Sequence, residues 1–221
     1  MKYDIVNISF DVGEDISSVS ASKVRGFIGN QFSEYTILHN HYGDEKFLFT
    51  YPLVQYKIIN NKICILGIGE GGKIIKKISS DINSFDLDKK YVVKEKVIHE
   101  KMVDIKPTKE EKHYKFITPW LGLNTTNYSK YMALKSWKDK KDLINKILVG
   151  NILSMSKGLG IIVNKRLYAK THFDTKQIQY KSVYMTSFNG EFKIHYEIPD
   201  YFGLGKGVSQ GFGCVKQIID E

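Results

Sequence analysis

The chain has 221 residues and a formal net charge of +9 at pH 7, and this charge favours a polyanionic partner without naming one. Its hydrophobic content of 42% excludes an intrinsically disordered chain, and its length allows one large domain or two of about 100 residues. The two cysteines, Cys64 and Cys214, are too few for a disulfide framework or a four-cysteine zinc site. We find neither a signal-peptide pattern nor an apolar run of about 18 residues, so we expect a cytoplasmic protein without membrane contact.

The first half of the chain has the order of elements of a ferredoxin-like domain, β-α-β-β-α-β. A helix is predicted over 18–32 because its apolar residues repeat with helical spacing, with Ser20 or Ser22 as its cap. A polar, aromatic stretch of uncertain structure follows this helix. The other predicted elements are a strand at 3–10, a hairpin of strands 53–58 and 62–66, a helix at 71–80 and an extended segment at 91–105.

The second half again mixes helices with an antiparallel sheet, which makes the fold class α+β. The charged, proline-containing segment 105–112 predicts a boundary between two domains, 1–107 and 108–221. Asp174-Thr175 and Asn189-Gly190 predict tight turns, because Asn-Gly is a strong hairpin signal. The predicted elements are a strand at 113–118, helices at 125–134 and 139–157, and strands at 165–174, 177–187, 191–197 and 214–219.

Five glycines fall within eleven residues near the end of the chain, in the segment GLGKGVSQGFG at 203–213. Glycine adopts φ > 0 readily and lets a ligand approach the backbone, and successive free N–H groups form an anion-binding nest. Lys206 and Ser209 add a positive charge and a hydroxyl for a phosphate. The spacing excludes a Walker loop and a dinucleotide fingerprint. On spacing alone, the segment fits a glycine-rich turn before a strand equally well.

A second glycine pattern, formed by Gly67, Gly69 and Gly72, fits the dinucleotide spacing GxGxxG between a strand and a helix. It motivates a nucleotide-binding oxidoreductase as an unrelated alternative. The preceding strand, however, belongs to a predicted hairpin, whereas dinucleotide folds use a parallel βαβ unit. The following strand is also heavily charged, unlike a buried parallel strand. We therefore interpret these glycines as a tight strand-to-helix connection.

Three ordered blocks of sequence cover most of the chain. The first comprises KVRGFIGNQF, YPLVQYKII and GIGEGG, the second is TPWLGLN, and the third is the glycine-rich loop with its lysine, followed by GFGCV. Together they resemble the CRISPR repeat-RNA-processing endoribonucleases, the Cas-six family, in the subgroup common in methanogens and clostridia. Three blocks in the correct order make this resemblance more specific than any one of them.

The resemblance implies two tandem ferredoxin-like (RRM-like) domains with antiparallel sheets, which agrees with the order of elements above. It also implies a metal-independent endoribonuclease, without a cofactor, that binds the repeat in CRISPR precursor RNA and cuts it once. In this reaction the 2′-OH attacks the adjacent phosphorus and leaves a 2′,3′-cyclic phosphate and a 5′-OH. The implied partners are precursor and mature crRNA. The resemblance does not decide whether the protein is a monomer or a homodimer, or whether it associates with CRISPR effector complex subunits.

The only close pair among the six histidines is His39 and His41. Histidine suits proton transfer because its pKa lies near neutrality. In an extended segment a spacing of two places both side chains on one side. The resemblance places catalytic histidine in this part of the first domain. From their positions in the same stretch, Tyr35 and Tyr42 are candidates to orient the RNA or to hydrogen-bond to a histidine. The sequence does not indicate which histidine is the base and which the acid.

Other interpretations of this stretch stay open. One alternative is a polar loop in which the two histidines have no function. Another is a metal site in which Asp44 or Glu45 adds a third ligand to the His-x-His pair. His172 is the next catalytic candidate. A non-catalytic crRNA-binding relative within an effector complex is the alternative function.

The predicted RNA contacts are basic side chains and loop glycines: Lys23, Arg25, Lys165, Arg166, Gly203, Gly205, Lys206, Ser209, Gly211 and Gly213. The hairpin expected after Lys165 and Arg166 also carries Lys170, Lys176 and Lys181. This hairpin either lies in an RNA groove or is an ordinary solvated surface.

Overall fold

The computed structural model describes residues 2–17, 20–39, 41–42, 46–47 and 51–219, and for the short strands 41–42 and 46–47 it describes the backbone. These residues form two compact units. The first unit contains Lys2–Val103 together with Ser209–Gly211, and the second contains Asp104–Val208 and the chain from Phe212 onward. Outside the described residues lie the first two positions of the predicted helix at 18–32 and the alternative metal ligands Asp44 and Glu45.

The first unit has the strand order expected of a ferredoxin-like domain. Its main sheet has the order β4-β5-β1-β8, and β5 pairs antiparallel with both β1 and β4. The elements are β1 (Lys2–Asp11), α1 (Ala21–Gln31), a 3-10 turn (Thr36–Leu38), β2 (His41–Tyr42), β3 (Lys46–Phe47), β4 (Val54–Ile59), β5 (Lys62–Ile68), α2 (Glu70–Ser79), β6 (Ser84–Asp86), β7 (Lys90–Val92) and β8 (Glu95–Asp104). The β6–β7 hairpin was not predicted from the sequence.

One face of the first sheet carries the core of this unit. Val6, Ile8 and Phe10 alternate along β1 and pack with Val24 and Ile28 of α1 in one buried cluster. Of the two serines proposed as the cap of α1, the one at position 20 accepts a hydrogen bond from the N–H three residues later, at 3.3 Å.

The predicted hairpin of the first unit is confirmed. Ile59 pairs with Lys62, so the turn consists of Asn60 and Asn61, whose φ values are 49° and 58°. Asparagine tolerates this left-handed conformation better than most residues, and two successive positive φ angles match the twist of a tight hairpin.

The second unit repeats the same strand order with different connections. Its sheet has the order β10-β11-β9-β12, which confirms the predicted fold class of two tandem ferredoxin-like domains. The elements are β9 (Lys106–Trp120), α3 (Thr125–Ala133), α4 (Trp137–Gly158), β10 (Ala169–Tyr180), β11 (Val183–Glu197) and β12 (Val215–Ile218). A 3-10 turn, Val208–Gln210, lies in the glycine-rich loop.

The helices of the second unit begin at side-chain caps. The Asn124 side chain accepts from the Asn127 N–H at 2.8 Å, and the Ser136 hydroxyl accepts from the Asp139 N–H at 3.4 Å. The predicted apolar face of α4 is confirmed, because Ile144, Ile147, Leu148 and Ile152 are buried. Among the helices of the described ranges, none is long and apolar enough to cross a membrane.

The predicted tight turns at Asp174-Thr175 and Asn189-Gly190 are wrong. Both pairs lie inside long strands, where Asp174 is opposite Asn189, and the turn instead consists of Lys181 and Ser182, with φ values of 48° and 64°. Gly190, with φ of 130°, stands at a register shift between β11 and β9, and a Cβ there would collide with the backbone of β10. The glycine therefore forms part of a β-bulge. The three strands predicted between 165 and 197 are in fact two, β10 and β11.

The segment 105–112, where the sequence predicts a domain boundary, is not a loop, because Lys106–Trp120 is one continuous strand. Its charged residues have partners within the sheet: the Lys112 Nζ is 3.6 Å from a carboxylate oxygen of Glu197 on the adjacent β11, and Glu111 pairs at 2.8 Å with Lys170 of β10, on the far side of β11. Opposite charges across a ladder stabilise pairing in a sequence that looks like a solvated linker. The domain division at 107/108 falls inside this strand and stays a prediction.

Candidate functional site

The turn that carries His39 is held by side chains from α1 and β4. The Arg25 guanidinium donates a hydrogen bond to the His39 carbonyl, and the Tyr56 hydroxyl donates to the Leu38 carbonyl at 3.3 Å. Burial of Tyr56 raises the pKa of its hydroxyl, so this group stays protonated and remains a donor. Leu38 is itself buried in the core. The position of His39 is therefore fixed by the fold of the first unit.

The half-buried imidazole of His39 lies directly on Gly29 of α1. A Cβ at position 29 would collide with the Nδ1 and Cε1 atoms of the ring. By contrast, a Cβ at Gly26, about one turn earlier in the helix, would meet nothing within 4 Å. We call this contact surface of Gly29 the histidine seat. A residue with a side chain at position 29 would have to displace the imidazole ring.

The backbone at His39 corrects one step of the sequence argument. His39 has φ of −101° and ψ of −15°, at the end of the 3-10 turn, so the segment is not extended there and the same-side spacing does not apply. The His39 N–H closes the turn by donating to the Thr36 carbonyl at 3.1 Å. The bonds from Arg25 and Tyr56 then hold the turn against the rest of the unit. In β2 the backbone pairs His41 with Phe47. The side chains of His41 and Tyr42 lie outside the description, and their catalytic roles stay predictions.

Several backbone donors of the glycine-rich loop are used within the second unit. The Lys206 N–H donates to the Leu121 carbonyl at 3.0 Å, and the Gly213 N–H donates to the Pro119 carbonyl at 2.8 Å. The Leu204 N–H donates to the Gly213 carbonyl at 2.9 Å. The first two bonds fasten the loop to the end of β9 and the residue that follows it, and the third joins the two ends of the loop. The N–H groups of these three residues are therefore not free donors for the predicted anion-binding nest, because they already have partners.

The loop positions predicted to bind RNA differ in exposure. Gly205 and Lys206 are exposed, whereas Gly203 and Gly213 are buried. Gly203 forms an isolated β-bridge with Cys214, and Gly213 has φ of 65° at a place where a Cβ would collide with the loop backbone. The buried glycines shape the loop, and the exposed pair is the part presented to solvent.

Ser209 and Gly211 belong to the first compact unit. Gly211 has φ of 89°, and a Cβ there would come within 2.9 Å of the Ala21 Cβ and 3.1 Å of the Tyr56 carbonyl oxygen. This glycine therefore packs against the first residue of α1 and against β4, the two elements that also hold the His39 turn.

The exposed lysine of the loop meets the tip of the β10–β11 hairpin within the second unit. The Lys206 Nζ lies 5.3 Å from the ring centroid of Tyr180, and the Lys181 Nζ lies 5.9 Å from the same centroid. The Tyr180 ring in turn packs edge-on against Phe212, at 5.3 Å between centroids. We call Tyr180, Lys181 and Lys206 the loop–hairpin cluster. It brings two positive charges together beside one buried aromatic ring, and such a pair of ammonium groups is suited to bind phosphates.

The remaining predicted RNA contacts lie apart from this cluster along the chain. Lys165 and Arg166 are exposed before β10, and the Arg166 guanidinium carbon lies 5.2 Å from the Tyr168 ring centroid. Of the hairpin lysines, Lys170 is paired with Glu111 at 2.8 Å. Because that ion pair satisfies part of its charge, Lys170 is a weaker candidate for phosphate than Lys181.

Lys23 lines a cavity of about 750 Å³ in the first unit, between α1 and the β6–β7 region. The carboxylates of Asp81, Asp86 and Asp88 line the same cavity. Their negative charge opposes a phosphate, so this environment does not support Lys23 as an RNA contact.

The glycines of the dinucleotide-like pattern serve close packing. A Cβ at Gly67 would come within 2.6 Å of the Gly72 backbone, and one at Gly72 would come within 3.0 Å of Val6. The preceding strand, β5, is antiparallel to both of its neighbours, so no parallel βαβ unit exists there. This confirms the interpretation as a tight strand-to-helix connection. In the described part of the chain, no group of three or more His, Cys, Asp or Glu side chains is arranged to hold a metal ion.

Sequence reasoning missed the two tyrosines that organise these regions. Tyr56 stands in an alternating strand and Tyr180 at a strand end, positions where an aromatic residue is ordinary. No sequence signal distinguishes them, because their roles depend on contacts between residues distant in the chain. The α1 sequence did contain a signal for the histidine seat, since a helix interior disfavours glycine without a packing reason.

Comparison with known proteins gives consistent matches over nearly the whole chain. Residues 1–104 match the Cas6b N-terminal domain, and residues 106–218 match the Cas6b C-terminal domain. A crystal structure of Cas6b is similar with a TM-score of 0.90 and 31% identity, covering 99% of this chain and 100% of that chain. A crystal structure of a CRISPR RNA processing endoribonuclease, Cas6b, has a TM-score of 0.81 and 29% identity over the same shares of each chain. An uncharacterized protein of Methanocaldococcus jannaschii is 45% identical over 106 residues, which is 48% of this chain and 71% of that protein.

Proposed function

Because this chain belongs to the Cas6b family, we propose that it is an endoribonuclease that binds the repeat in CRISPR precursor RNA and cleaves it once. The similarity to a CRISPR RNA processing endoribonuclease over 99% of the chain supports this proposal. The observation that carries it is the seat of His39, whose ring rests on Gly29 and whose carbonyl is held by Arg25.

The proposed reaction is an internal transesterification without a metal ion. A general base removes the proton of the 2′-OH, and the 2′-oxygen attacks the adjacent phosphorus. The bond from phosphorus to the 5′-oxygen breaks, and a general acid protonates that leaving oxygen. The upstream product carries a 2′,3′-cyclic phosphate, and the downstream crRNA carries a 5′-OH.

His39 is the residue we assign to proton transfer, as base or acid. A histidine transfers protons near neutral pH only when its ring is held within hydrogen-bond reach of the reacting oxygen. The collision that any Cβ at Gly29 would cause shows how closely α1 fits this ring. His41 and Tyr42 complete the proposed catalytic set.

RNA binding is assigned to the loop–hairpin cluster of the second unit, with Gly205, Lys165 and Arg166 as further contacts. Two ammonium groups near the Tyr180 ring supply charge for phosphates without reading base sequence. The proposed RNA partners are precursor and mature crRNA. Homodimer formation and contact with effector complex subunits stay predictions.

In the direct test, the protein is incubated in excess EDTA with RNA that carries the repeat of the CRISPR array next to its own gene. We expect one cut. The terminal phosphate of the upstream product should resist phosphatase until acid has opened the 2′,3′-cyclic phosphate. RNA with 2′-deoxy substitutions throughout the repeat should bind but stay intact, because the attacking hydroxyl is absent. Tight binding without any cut would instead support a non-catalytic crRNA-binding relative, and a strict requirement for Mg²⁺ would contradict the proposed chemistry.

A further inference from the structure

A groove in the second unit lies apart from the residues assigned to catalysis and RNA binding under the proposed function, although His172 of β10, the alternative catalytic candidate, is part of its lining. It has a volume of about 450 Å³ and runs between the start of α4 and the edge strand β10. From α4 it is lined by Trp137, Lys140, Lys141 and Ile144, which are spaced to share one face of the helix. We call it the Trp137 groove.

The indole of Trp137 is unusually open to solvent. Its side chain is at the first position of α4, and the residue is 74% exposed, whereas the other tryptophan, Trp120, is fully buried. A large aromatic surface left in water costs free energy unless a partner covers it. The groove therefore presents a flat apolar surface at its entrance.

The groove has a rigid aromatic floor. Tyr131 packs edge-on against Phe188, with centroids 5.8 Å apart, and Phe188 belongs to the buried ring cluster around Trp120 and Phe173. Burial raises the pKa of the Tyr131 hydroxyl. Since this floor is part of the core, the groove exists before any ligand arrives, and little ordering entropy is lost on binding.

Positive charge lies over the same aromatic surface. The Lys140 Nζ is 4.9 Å from the Tyr131 ring centroid, and Lys141 lines the groove beside it. The strand β10 contributes polar groups, including Asp174 and Thr175, to the opposite wall. An exposed indole with flanking ammonium groups and neutral or acidic hydrogen-bonding groups matches a nucleotide, which has a stacking face, a phosphate and a polar base edge.

We propose that the Trp137 groove binds an unpaired nucleotide of single-stranded RNA, with its base stacked on the indole and its phosphates near Lys140 and Lys141. This proposal extends the proposed function, since the groove would hold part of the same RNA away from the cut. The chain's net charge of +9 favours RNA over a basic or neutral peptide. Stacking tolerates any base, so the groove adds affinity rather than base specificity.

The test uses a short 2′-O-methyl oligouridine, which is single-stranded and cannot be cleaved by 2′-OH attack. We expect it to quench the tryptophan fluorescence of the wild-type protein on titration. Trp137→Ala should weaken binding by about 5- to 150-fold, the range typical for loss of one stacked base. Trp137→Phe keeps a ring and should bind within about 3-fold of wild type while losing the quenching.

The matched control is Tyr128→Ala, which removes an aromatic side chain that is 42% exposed on α3 and does not line the groove. It should leave affinity and quenching unchanged. Unchanged affinity in Trp137→Ala, or saturation of the wild type without quenching, would overturn the groove proposal even if the protein cleaves repeat RNA. Quenching with the expected variant pattern, in a protein that never cleaves, would uphold the groove and reject the endoribonuclease.

Discussion

The two units have the same strand order, and they differ most in what connects the third strand of each sheet to the fourth. In the first unit this connection contains α2, Glu70–Ser79, and the short β6–β7 hairpin. In the second unit the corresponding stretch, between β11 and β12, is the glycine-rich loop with a single 3-10 turn. One topology thus supports either a packed helix or a loop that exposes Gly205 and Lys206.

The comparison supports the proposal of a division of labour between the two units, with proton transfer in the first and RNA binding in the second. The first unit holds a histidine by contacts from α1 and β4, which is what a proton-transfer group requires. The second unit presents lysines beside aromatic rings, which is what a flexible polyanion requires. Variants of the first unit should therefore change the cleavage rate, and variants of the second should change RNA affinity.

The largest expected effect is that of His39→Ala. Loss of one proton-transfer group should lower the single-turnover cleavage rate by about 10²- to 10⁴-fold, while affinity for repeat RNA stays within a few fold. His99→Ala removes an exposed histidine of β8 and is the control, expected to be fully active. Wild-type cleavage rates in both His39→Ala and His41→Ala would reject the catalytic site.

A pair of glycine variants in α1 tests the histidine seat without touching the imidazole. Gly29→Ala should displace the ring of His39 and slow cleavage by up to about 100-fold, since small displacements of catalytic groups are costly. Gly26→Ala has open space around its new methyl group and should keep full activity. Because alanine favours helices, Gly26→Ala should also raise the free energy of unfolding by about 0.5–1 kcal/mol. Equal activity of the two variants would contradict the proposed seat.

A smaller effect is expected for Lys206→Gln in the loop–hairpin cluster. RNA affinity should fall roughly 5-fold, and the slope of log affinity against log salt should decrease by about 0.7 if one phosphate contact is lost. The control is Lys73→Gln, which removes an exposed lysine paired with Glu70 in α2. If both variants had the same salt dependence as wild type, the cluster would not contact phosphate.

The last prediction concerns the chemical reactivity of the two cysteines, one in each unit, and no effect on cleavage or RNA binding is expected from it. Burial raises the pKa of the Cys64 thiol to about 11, so at pH 8 its thiolate fraction is more than about 100-fold below that of a free cysteine. Alkylation of folded protein by iodoacetamide should be slow to the same extent. Cys214, which is also buried, should react only when its own unit opens. Rapid labelling of Cys64 in folded protein would contradict its burial.

Much of the fold was predictable because apolar patterns decide which elements form. The hairpin at Asn60–Asn61 and the buried face of α4 were both predicted from such patterns. The Asn189-Gly190 pair misled because turns and bulges both need φ > 0. Only the pairing of β11 with β9 distinguishes them, and that pairing joins residues far apart in the sequence.

The site was predictable to a lesser extent. Histidine chemistry and the glycine-rich segment indicated the stretches on which the proposed site rests, but only the three-dimensional structure separates the exposed Lys206 from the buried Gly203 and Gly213. The same limit applies to Trp137, because an aromatic residue at a helix start is compatible with burial or exposure. Which residues a loop presents depends on backbone bonds, such as the one from Lys206 to Leu121, that leave no pattern in the sequence.

The division of labour is tested most directly by one measurement, the single-turnover cleavage rate at saturating repeat RNA for His39→Ala and Lys206→Gln side by side. Saturation removes differences in affinity, so only the chemical step is compared. We predict a loss of at least about 100-fold for His39→Ala and a rate within about 3-fold of wild type for Lys206→Gln. A rate near wild type for His39→Ala together with a large loss for Lys206→Gln would contradict this account.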